Sequence, residues 1–147
     1  MVLQLKLTSD YAIRFVLYLA ENRDSKCTVK EVEEKMGIPS KYLYKIVRIL
    51  RGKKIIDTFQ GHNGGIVLLK NPEDITLYDV ISEIEDGILI NPCMRDKNCC
   101  SLKATDHCNV RRFFCALNRD IEMYLNSISI ADIINDEWED KVKLYEE

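Results

Sequence analysis

The residues of this sequence best suited to chemistry are its six cysteines, five of which lie within 23 residues of one another. Cys93, Cys99 and Cys108 are spread along a stretch without helical periodicity, and Cys100 directly follows Cys99. Thiolate sulfur binds soft metal ions and iron–sulfur clusters. In a reducing compartment, such a group of thiols indicates a metal or redox centre before it indicates disulfides.

The spacing of these cysteines bears on which centre they hold. Structural zinc sites commonly use close C-x2-4-C pairs, and the gaps after Cys93 and Cys100 are wider. The wider gaps favour a larger object, an iron–sulfur cluster. Zinc stays an alternative, as does a metal-free thiol switch between Cys99 and Cys100. Cys27 and Cys115 are expected to be packing residues.

A long helix is predicted directly after the cysteine loop, from Asn109 to about Asn126. Its apolar residues recur with a 4-3-4-3-4 spacing, which is typical of the seam between two packed helices. This seam predicts a homodimer, and burial against the chain's own domain is the alternative. The seam residues are Val110, Phe114, Leu117, Ile121, Tyr124 and Ile128.

The first half of the chain predicts a helix-turn-helix. A first helix is expected from Thr8 or Ser9, with an apolar face of Ile13, Val16, Leu17 and Ala20. A second helix should be capped by Thr28 and Glu31 and end at Gly37. A third should run from Ser40 to Gly52, and its free face carries Lys41, Tyr44, Lys45, Arg48 and Arg51.

A β-hairpin should follow the third helix. Two β-prone runs, residues 55–59 and 66–69, flank the glycine-rich segment 60–65, which contains an Asn-Gly pair. A hairpin in this place is the wing of a winged helix-turn-helix. The predicted fold is therefore mainly α with a small β-hairpin, followed by the long dimerisation helix.

Charge separates the two halves of the chain. Residues 1–70 contain 13 Lys/Arg and 7 Asp/Glu, whereas residues 71–147 contain 8 and 17. A basic front half predicts a polyanion partner, and the winged helix makes that partner double-stranded DNA. The predicted DNA-binding residues are Thr28, Ser40, Lys41, Tyr44, Lys45, Arg48, Arg51, Gln60, His62, Asn63 and Gly64.

The sequence divides into four segments. Residues 1–86 form the winged-helix domain, in which Thr76 and Asp79 cap a further helix that ends at Gly87. Residues 87–108 form the cysteine-rich loop. Residues 109–136 hold the dimerisation helix and a short helix capped by Ser129 and Asp132, and residues 137–147 are an acidic tail.

Several classes of protein are disfavoured. No apolar stretch is long enough to span a bilayer, and the N-terminus lacks the pattern of a signal peptide. We therefore expect a cytoplasmic protein without a membrane partner. No nucleophile–base pair, phosphate loop or cofactor fingerprint is found, and so an enzyme is not expected.

Read together in order, several motifs resemble the Rrf2 family of bacterial regulators, across roughly residues 5–136. They are LTSDYAIR at residues 7–14, GIPSKYLYKIVRILRG at 37–52, QGHNGGIVLLKNPEDITLYDVI at 60–81, the cysteine loop, and SISIADI at 127–133. The resemblance implies a homodimeric DNA-binding regulator, a repressor, that senses redox state, nitric oxide or cluster supply. A cluster-carrying adaptor is a further alternative.

The resemblance also implies a [4Fe-4S] or [2Fe-2S] cluster ligated by Cys93, Cys99 and Cys108. The family's last gap is shorter than the one here, so Cys100 could replace Cys99. One branch of the family has a histidine ligand three positions after the third cysteine, where this sequence has Arg111. The expected fourth ligand is Asp10 of the partner subunit, with Cys100 and His107 as alternatives.

The DNA-binding motifs depart from the family at two positions. Gln60 stands where the wing usually has an arginine that reaches into the minor groove. Tyr44 stands where one branch of the family has an acidic residue in the recognition helix. That branch's rules of operator recognition therefore do not transfer to this protein.

Overall fold

A computed structural model describes residues 4–104 and 106–142 of the chain, and only the backbone of residue 142. It is mainly α-helical with one antiparallel hairpin, which confirms the predicted fold class. None of the helices in these ranges is long and apolar enough to cross a bilayer. The elements are α1 Leu7–Glu21, α2 Val29–Met36, α3 Ser40–Gly52, β1 Ile56–Phe59, β2 Gly65–Leu68, α4 Leu77–Glu85, α5 Asn109–Ser127, α6 Ile130–Ile134 and α7 Trp138–Val142.

Helix α1 is the centre of the winged-helix domain, in contact with α2, α3, α4, α6 and β2. Its fully buried residues are Ala12, Phe15, Val16 and Leu19. The predicted apolar face was thus displaced by about one residue. Its other members are only partly buried against the same core, because a helix with neighbours on several sides has a broad apolar surface.

The predicted helix starts and stops are largely confirmed. Thr28 with Glu31, Thr76 with Asp79, and Ser129 with Asp132 all form reciprocal capping boxes. Gly37 ends α2 in the left-handed conformation, with φ +64°. Two ends differ: α1 begins at Leu7 without a side-chain cap, and the left-handed cap of α4 is Asp86 rather than Gly87.

The wing is anchored to the body of the domain. Strands β1 and β2 pair in a register that places Phe59 opposite Gly65. A further bridge joins Ile66 to Cys27, with Cys27 N donating to Ile66 O at 3.0 Å and Ile66 N donating to Cys27 O at 2.8 Å. Cys27 is fully buried, so its predicted packing role is confirmed.

Helix α5 packs against α4 and a turn of the cysteine loop, and it buries only Asn118 among its side chains. The predicted apolar seam is therefore only partly covered in one chain, with Phe114, Ile121 and Tyr124 half-buried. Val110 is 61% exposed and Leu117 38%, whereas Ile128, just past the helix, is buried. The alternative, burial of the seam within its own domain, applies fully to its last residue and in part to the three half-buried ones.

The start of the predicted acidic tail is helical. Helix α7 was not expected, and Lys141 on it contacts the buried Asp132 of α6, with 2.6 Å between Nζ and Oδ2. This ion pair ties the tail's first turn to the domain. Residues 143–147 of the tail lie outside the described part of the chain.

Candidate metal centre and nucleic-acid interface

Two short 3-10 turns shape the cysteine loop. In the first, Pro92–Met94, the Asn91 side chain accepts a hydrogen bond from Cys93 N at 3.0 Å. In the second, Lys97–Cys99, the Asp96 side chain accepts one from Asn98 N at 2.8 Å. Asparagine and aspartate side chains commonly stabilise turns in this way. These turns fix the backbone that carries Cys93 and Cys99.

The loop and the start of α5 enclose a surface cavity of about 450 Å³. We call it the cysteine cavity, because four of the six cysteines line it. Cys99 is exposed, whereas the other three are half-buried. The lining residues are Asn91, Pro92, Cys93, Cys99, Cys100, Ser101, Leu102, Cys108, Val110, Arg111 and Phe114.

The remaining predicted ligands do not line this cavity within one chain. His107 is exposed on the loop surface, and Asp10 pairs with Arg14 one turn along α1. Cys115 lines a separate depression beside Arg112 and Arg119. Within the described ranges, no three His, Cys, Asp or Glu side chains converge closely enough to hold a single metal ion.

Cys108 occupies a distinctive position, since it is the N-cap residue of α5. Its sulfur accepts a hydrogen bond from the backbone N–H of Arg111 at 3.4 Å. The first N–H groups of a helix have no partner within the helix, and the Cys108 sulfur accepts a hydrogen bond from one of them. Serine or aspartate would be the usual capping residue, and here a cysteine takes that place.

The two adjacent cysteines have opposite environments. Hydrogen bonds from the backbone N–H groups of Ala104, Leu102 and Lys103 lower the pKa of the Cys100 thiol. For Cys99, partial desolvation raises the thiol pKa, and the nearby Cys93 raises it further. Cys100 is therefore the readier of the two to form a thiolate in the metal-free protein.

Arg111 is the residue whose role at this site the sequence did not reveal. Its Nε donates to the backbone carbonyl of Cys93 at 3.3 Å. The sequence analysis noted Arg111 only because it stands where one branch of the family has a histidine. Its position three residues after Cys108, in the first turn of α5, could have suggested a contact with the cysteine loop. The contact with Cys93 itself depends on how the loop folds back.

Two further contacts hold the base of the loop. Asn118 of α5 accepts a hydrogen bond from Ile90 N at 3.2 Å. Arg95 donates to the carbonyl of Asp86 at 2.7 Å, at the end of α4. The loop that carries the cysteines is thus joined by hydrogen bonds to both neighbouring helices.

The second candidate site is the exposed face of α3. Lys41, Tyr44, Lys45, Arg48 and Arg51 are all exposed along it, as predicted. Tyr44 has 65% of its surface free. Buried residues of the same helix fix its orientation, and they are Leu43, Ile46 and Leu50.

The remaining predicted DNA contacts surround this helix. Ser40 is half-buried at its start, and its N–H donates to Glu33 Oε1 at 3.1 Å. The Thr28 hydroxyl accepts the capping hydrogen bond of α2 at 3.2 Å from Glu31 N. Arg51 Nε lies 3.8 Å from Asp57 Oδ1 of the wing.

The wing tip presents Gln60, His62 and Asn63 to solvent, whereas Gly64 is half-buried. A side chain at Gly64 would put its Cβ only 2.3 Å from the carbonyl oxygen of Phe59. A glycine is therefore required at this position by the turn itself.

Lys26 is a wing residue that the sequence did not indicate. Its Nζ donates to the carbonyl of Asn63 at 3.1 Å and lies 4.6 Å from the centre of the Phe59 ring. Because Lys26 precedes the bridge at Cys27, it holds both the tip and the first strand of the hairpin. In the sequence, Lys26 is only a basic residue in the polar connection between α1 and α2, and nothing there indicates a contact with the wing.

Comparison with known proteins gives the family. A model described as "Rrf2: Iron-dependent Transcriptional regulator" matches residues 5–136. The HTH-type transcriptional regulator NsrR of Geobacillus kaustophilus is 32% identical over 139 residues, covering 91% of each chain. The protein rrf2 of Nitratidesulfovibrio vulgaris is 30% identical over 135 residues, covering 90% of this chain and 89% of its own.

Solved structures share the fold. IscR of T. potens superimposes with a TM-score of 0.71 at 22% identity, covering 92% of this chain and 88% of its own. CymR, the global cysteine regulator of B. subtilis, superimposes with a TM-score of 0.69 at 20% identity, covering 90% of this chain and 96% of its own. With the family model spanning nearly the whole winged helix, cysteine loop and long helix, the chain belongs to the Rrf2 family of transcriptional regulators.

Proposed function

We propose that this protein is a homodimeric transcriptional repressor whose DNA binding is controlled by an iron–sulfur cluster in the cysteine cavity. The observation that carries the proposal is that four cysteines line one cavity, at the start of the helix expected to form the dimer. Operator DNA would place the protein in the cytoplasm, and no enzymatic role is assigned to it.

The donors fit a cluster better than a single ion. Thiolate sulfur is the principal ligand of iron–sulfur clusters. Four cysteines line the cavity of about 450 Å³, and no three of the described ligand side chains lie close enough together to hold a single ion. The hydrogen bond from Arg111 N to the Cys108 sulfur holds that sulfur at the start of α5, where Cys108 lines the cavity. When bound, the cluster would supply a group sensitive to oxidants and nitric oxide.

The proposed ligands are Cys93, Cys99 and Cys108, completed by Asp10 of the partner subunit. In one chain the Asp10 side chain is 51% exposed, and its pair with Arg14 lies on the surface. Such pairs contribute little stability, so the carboxylate can be recruited by another subunit. Cys100 is the alternative within the chain because it lines the cavity. His107 would have to turn inward.

Anaerobic purification of variants that each replace one cysteine tests this ligand set. We expect Cys93→Ser, Cys99→Ser and Cys108→Ser each to lose most bound iron and sulfide. Cys115→Ser, which changes a residue outside the cavity, should keep both. Asp10→Ala should retain iron but lose signal-dependent release of DNA. If Cys100→Ser removes iron and Asp10→Ala responds normally, Cys100 is the fourth ligand instead.

The DNA contacts proposed are those of α3 and the wing, with Lys41, Lys45 and Arg48 as the principal cations. Removing a cation that binds a phosphate should weaken binding to all sequences and reduce the dependence of affinity on salt. Lys45→Ala should therefore lower both operator affinity and its salt slope. Arg112→Ala, which removes an exposed cation on α5, is the control. Equal effects of the two variants would contradict this assignment.

A metal-free thiol switch is the second candidate, favoured by the lowered pKa of Cys100 beside Cys99. It predicts a colourless protein whose DNA binding changes on mild thiol oxidation. Substitution of Cys100 would abolish that change, whereas substitution of Cys93 would not. The cluster proposal predicts that Cys93→Ser abolishes the response.

A further inference from the structure

We propose that Arg111 is a positioning residue of the cysteine cavity, which joins the ligand at one end of the loop to the helix that begins at the other. The expected effect of Arg111 on a cluster rests on the proposed function. The contacts of Arg111 with Cys93 and Cys108, however, are present in the chain without a metal. Arg111 touches both ends of the loop through different groups. Its backbone N–H donates to the Cys108 sulfur at 3.4 Å, and its Nε donates to the Cys93 carbonyl at 3.3 Å.

These two contacts join Cys93 directly to Cys108 and the start of α5, whereas other contacts of the loop hold its base or join Lys97 to Asp106. Cys93 and Cys108 are separated by 14 intervening residues. Those that the structure describes form no regular elements beyond two short 3-10 turns. A cluster requires its sulfur ligands at a defined mutual separation. Because a guanidinium offers several donors in a rigid plane, Arg111 can hold the Cys93 main chain while its own backbone caps Cys108.

Charge gives Arg111 a second effect. Among the described residues that line the cavity, it is the only one with a cationic side chain. Several thiolates in one cavity repel one another, and a nearby positive charge offsets that repulsion. Asp106 would compete for this charge, but it is held by Lys97, with 2.6 Å between Nζ and Oδ1. The contact that the Arg111 side chain makes in the cavity is the hydrogen bond from its Nε to the Cys93 carbonyl.

The neighbouring arginine provides a matched control. Arg112 has the same side chain and the same helix, but it is exposed and does not line the cysteine cavity. Three variants separate the roles: Arg111→Gln removes the charge, Arg111→Lys keeps the charge without the planar donor group, and Arg112→Gln changes net charge alone.

The first measurement uses metal-free protein and so does not depend on a cluster. Hydrogen exchange reports local opening of the backbone. Arg111→Gln and Arg111→Lys should speed amide exchange in residues 91–100, whereas Arg112→Gln should match the wild type. Unchanged exchange in both Arg111 variants would overturn the proposal, whatever the protein binds. Thermal unfolding of each variant verifies that the fold is retained.

The second measurement uses anaerobically reconstituted protein. Loss of iron to a chelator should be roughly tenfold faster for Arg111→Gln than for Arg112→Gln, a size typical of residues that orient metal ligands. The reduction potential should fall in Arg111→Gln and stay near the wild-type value in Arg111→Lys, because only the former loses the charge. Equal loss rates for the two Gln variants would contradict the proposal. Failure of the wild type to hold any cluster would instead reject the proposed function.

Discussion

Glu31 takes part in two contacts, one of which joins neighbouring helices. Glu31 completes the capping box of α2 and also accepts a hydrogen bond from the Tyr18 hydroxyl at 2.7 Å. Because Tyr18 lies on α1, this one carboxylate sets the position of α2 against α1. In the proposed DNA complex, the orientation of α3 would depend on that position.

The Tyr18–Glu31 contact predicts a pH effect. The hydrogen bond to Glu31, with smaller contributions from desolvation and the Glu31 charge, raises the pKa of Tyr18 from 10 to about 12. The stability that the contact adds is therefore complete below pH 10 and is lost as pH rises toward 12. Urea unfolding between pH 9 and 12 should show a steeper decline for the wild type than for Tyr18→Phe. Tyr44→Phe, on the exposed face of α3, should decline like the wild type.

Much at the residue scale could be read from sequence because it follows local rules. The three capping boxes depend on two side chains three positions apart, and all were predicted correctly. The role of Arg111 could not be predicted in this way. Its partner, Cys93, lies 18 positions away across an irregular loop. Lys26 likewise contacts Asn63 at a distance of 37 positions.

At the scale of elements, the wing is defined by a turn that tolerates no side chain at Gly64. The hairpin was predicted from its glycines and the Asn-Gly pair, and its strands differ from expectation by one residue at one or both ends. The third pairing partner, at Cys27, was not foreseen. A strand is recognised in a sequence by the alternation of several residues, and an isolated bridge of one residue shows no such alternation.

Gly64 gives the clearest prediction for an element. Gly64→Ala would bring Cβ to 2.3 Å from the Phe59 carbonyl oxygen, so the wing must shift. We expect a loss of about 2 kcal/mol in the free energy of unfolding, within the range of strained backbone substitutions. Gly52→Ala meets nothing within 4 Å at the end of α3 and should change stability by less than about 0.5 kcal/mol. Chemical denaturation compares the two, and equal stabilities would contradict this account of the turn.

At the scale of the whole molecule, the apolar seam of α5 and the cysteine cavity meet at one end of the helix. Val110 and Phe114 belong to the seam and also line the cavity. A change in the cavity would therefore alter the surface proposed to hold two subunits together. The sequence could place both features in order along the chain. It could not show that they share residues, since that depends on the loop folding back over the first turns of α5.

The proposed dimer predicts that substitutions of two exposed apolar residues of α5 will affect subunit association differently. Leu117 lies on the seam and is 38% exposed, whereas Met123 lies on another side of the helix and is 52% exposed. Leu117→Glu would bury a charge in the interface, so it should produce monomers and abolish operator binding. Met123→Glu should leave both unchanged. Sedimentation velocity distinguishes the outcomes, and a dimeric Leu117→Glu protein would rule out this seam.

The central claim is that a cluster in the cysteine cavity controls DNA binding. The most direct test measures operator affinity and bound iron and sulfide in one anaerobic preparation, before and after exposure to nitric oxide. The account predicts a brown protein with a broad visible absorption band, whose operator affinity falls as the cluster is destroyed, and a Cys93→Ser variant that shows neither the band nor the response. A colourless protein with one zinc per chain, or an affinity that stays the same when the cluster is destroyed, would contradict it.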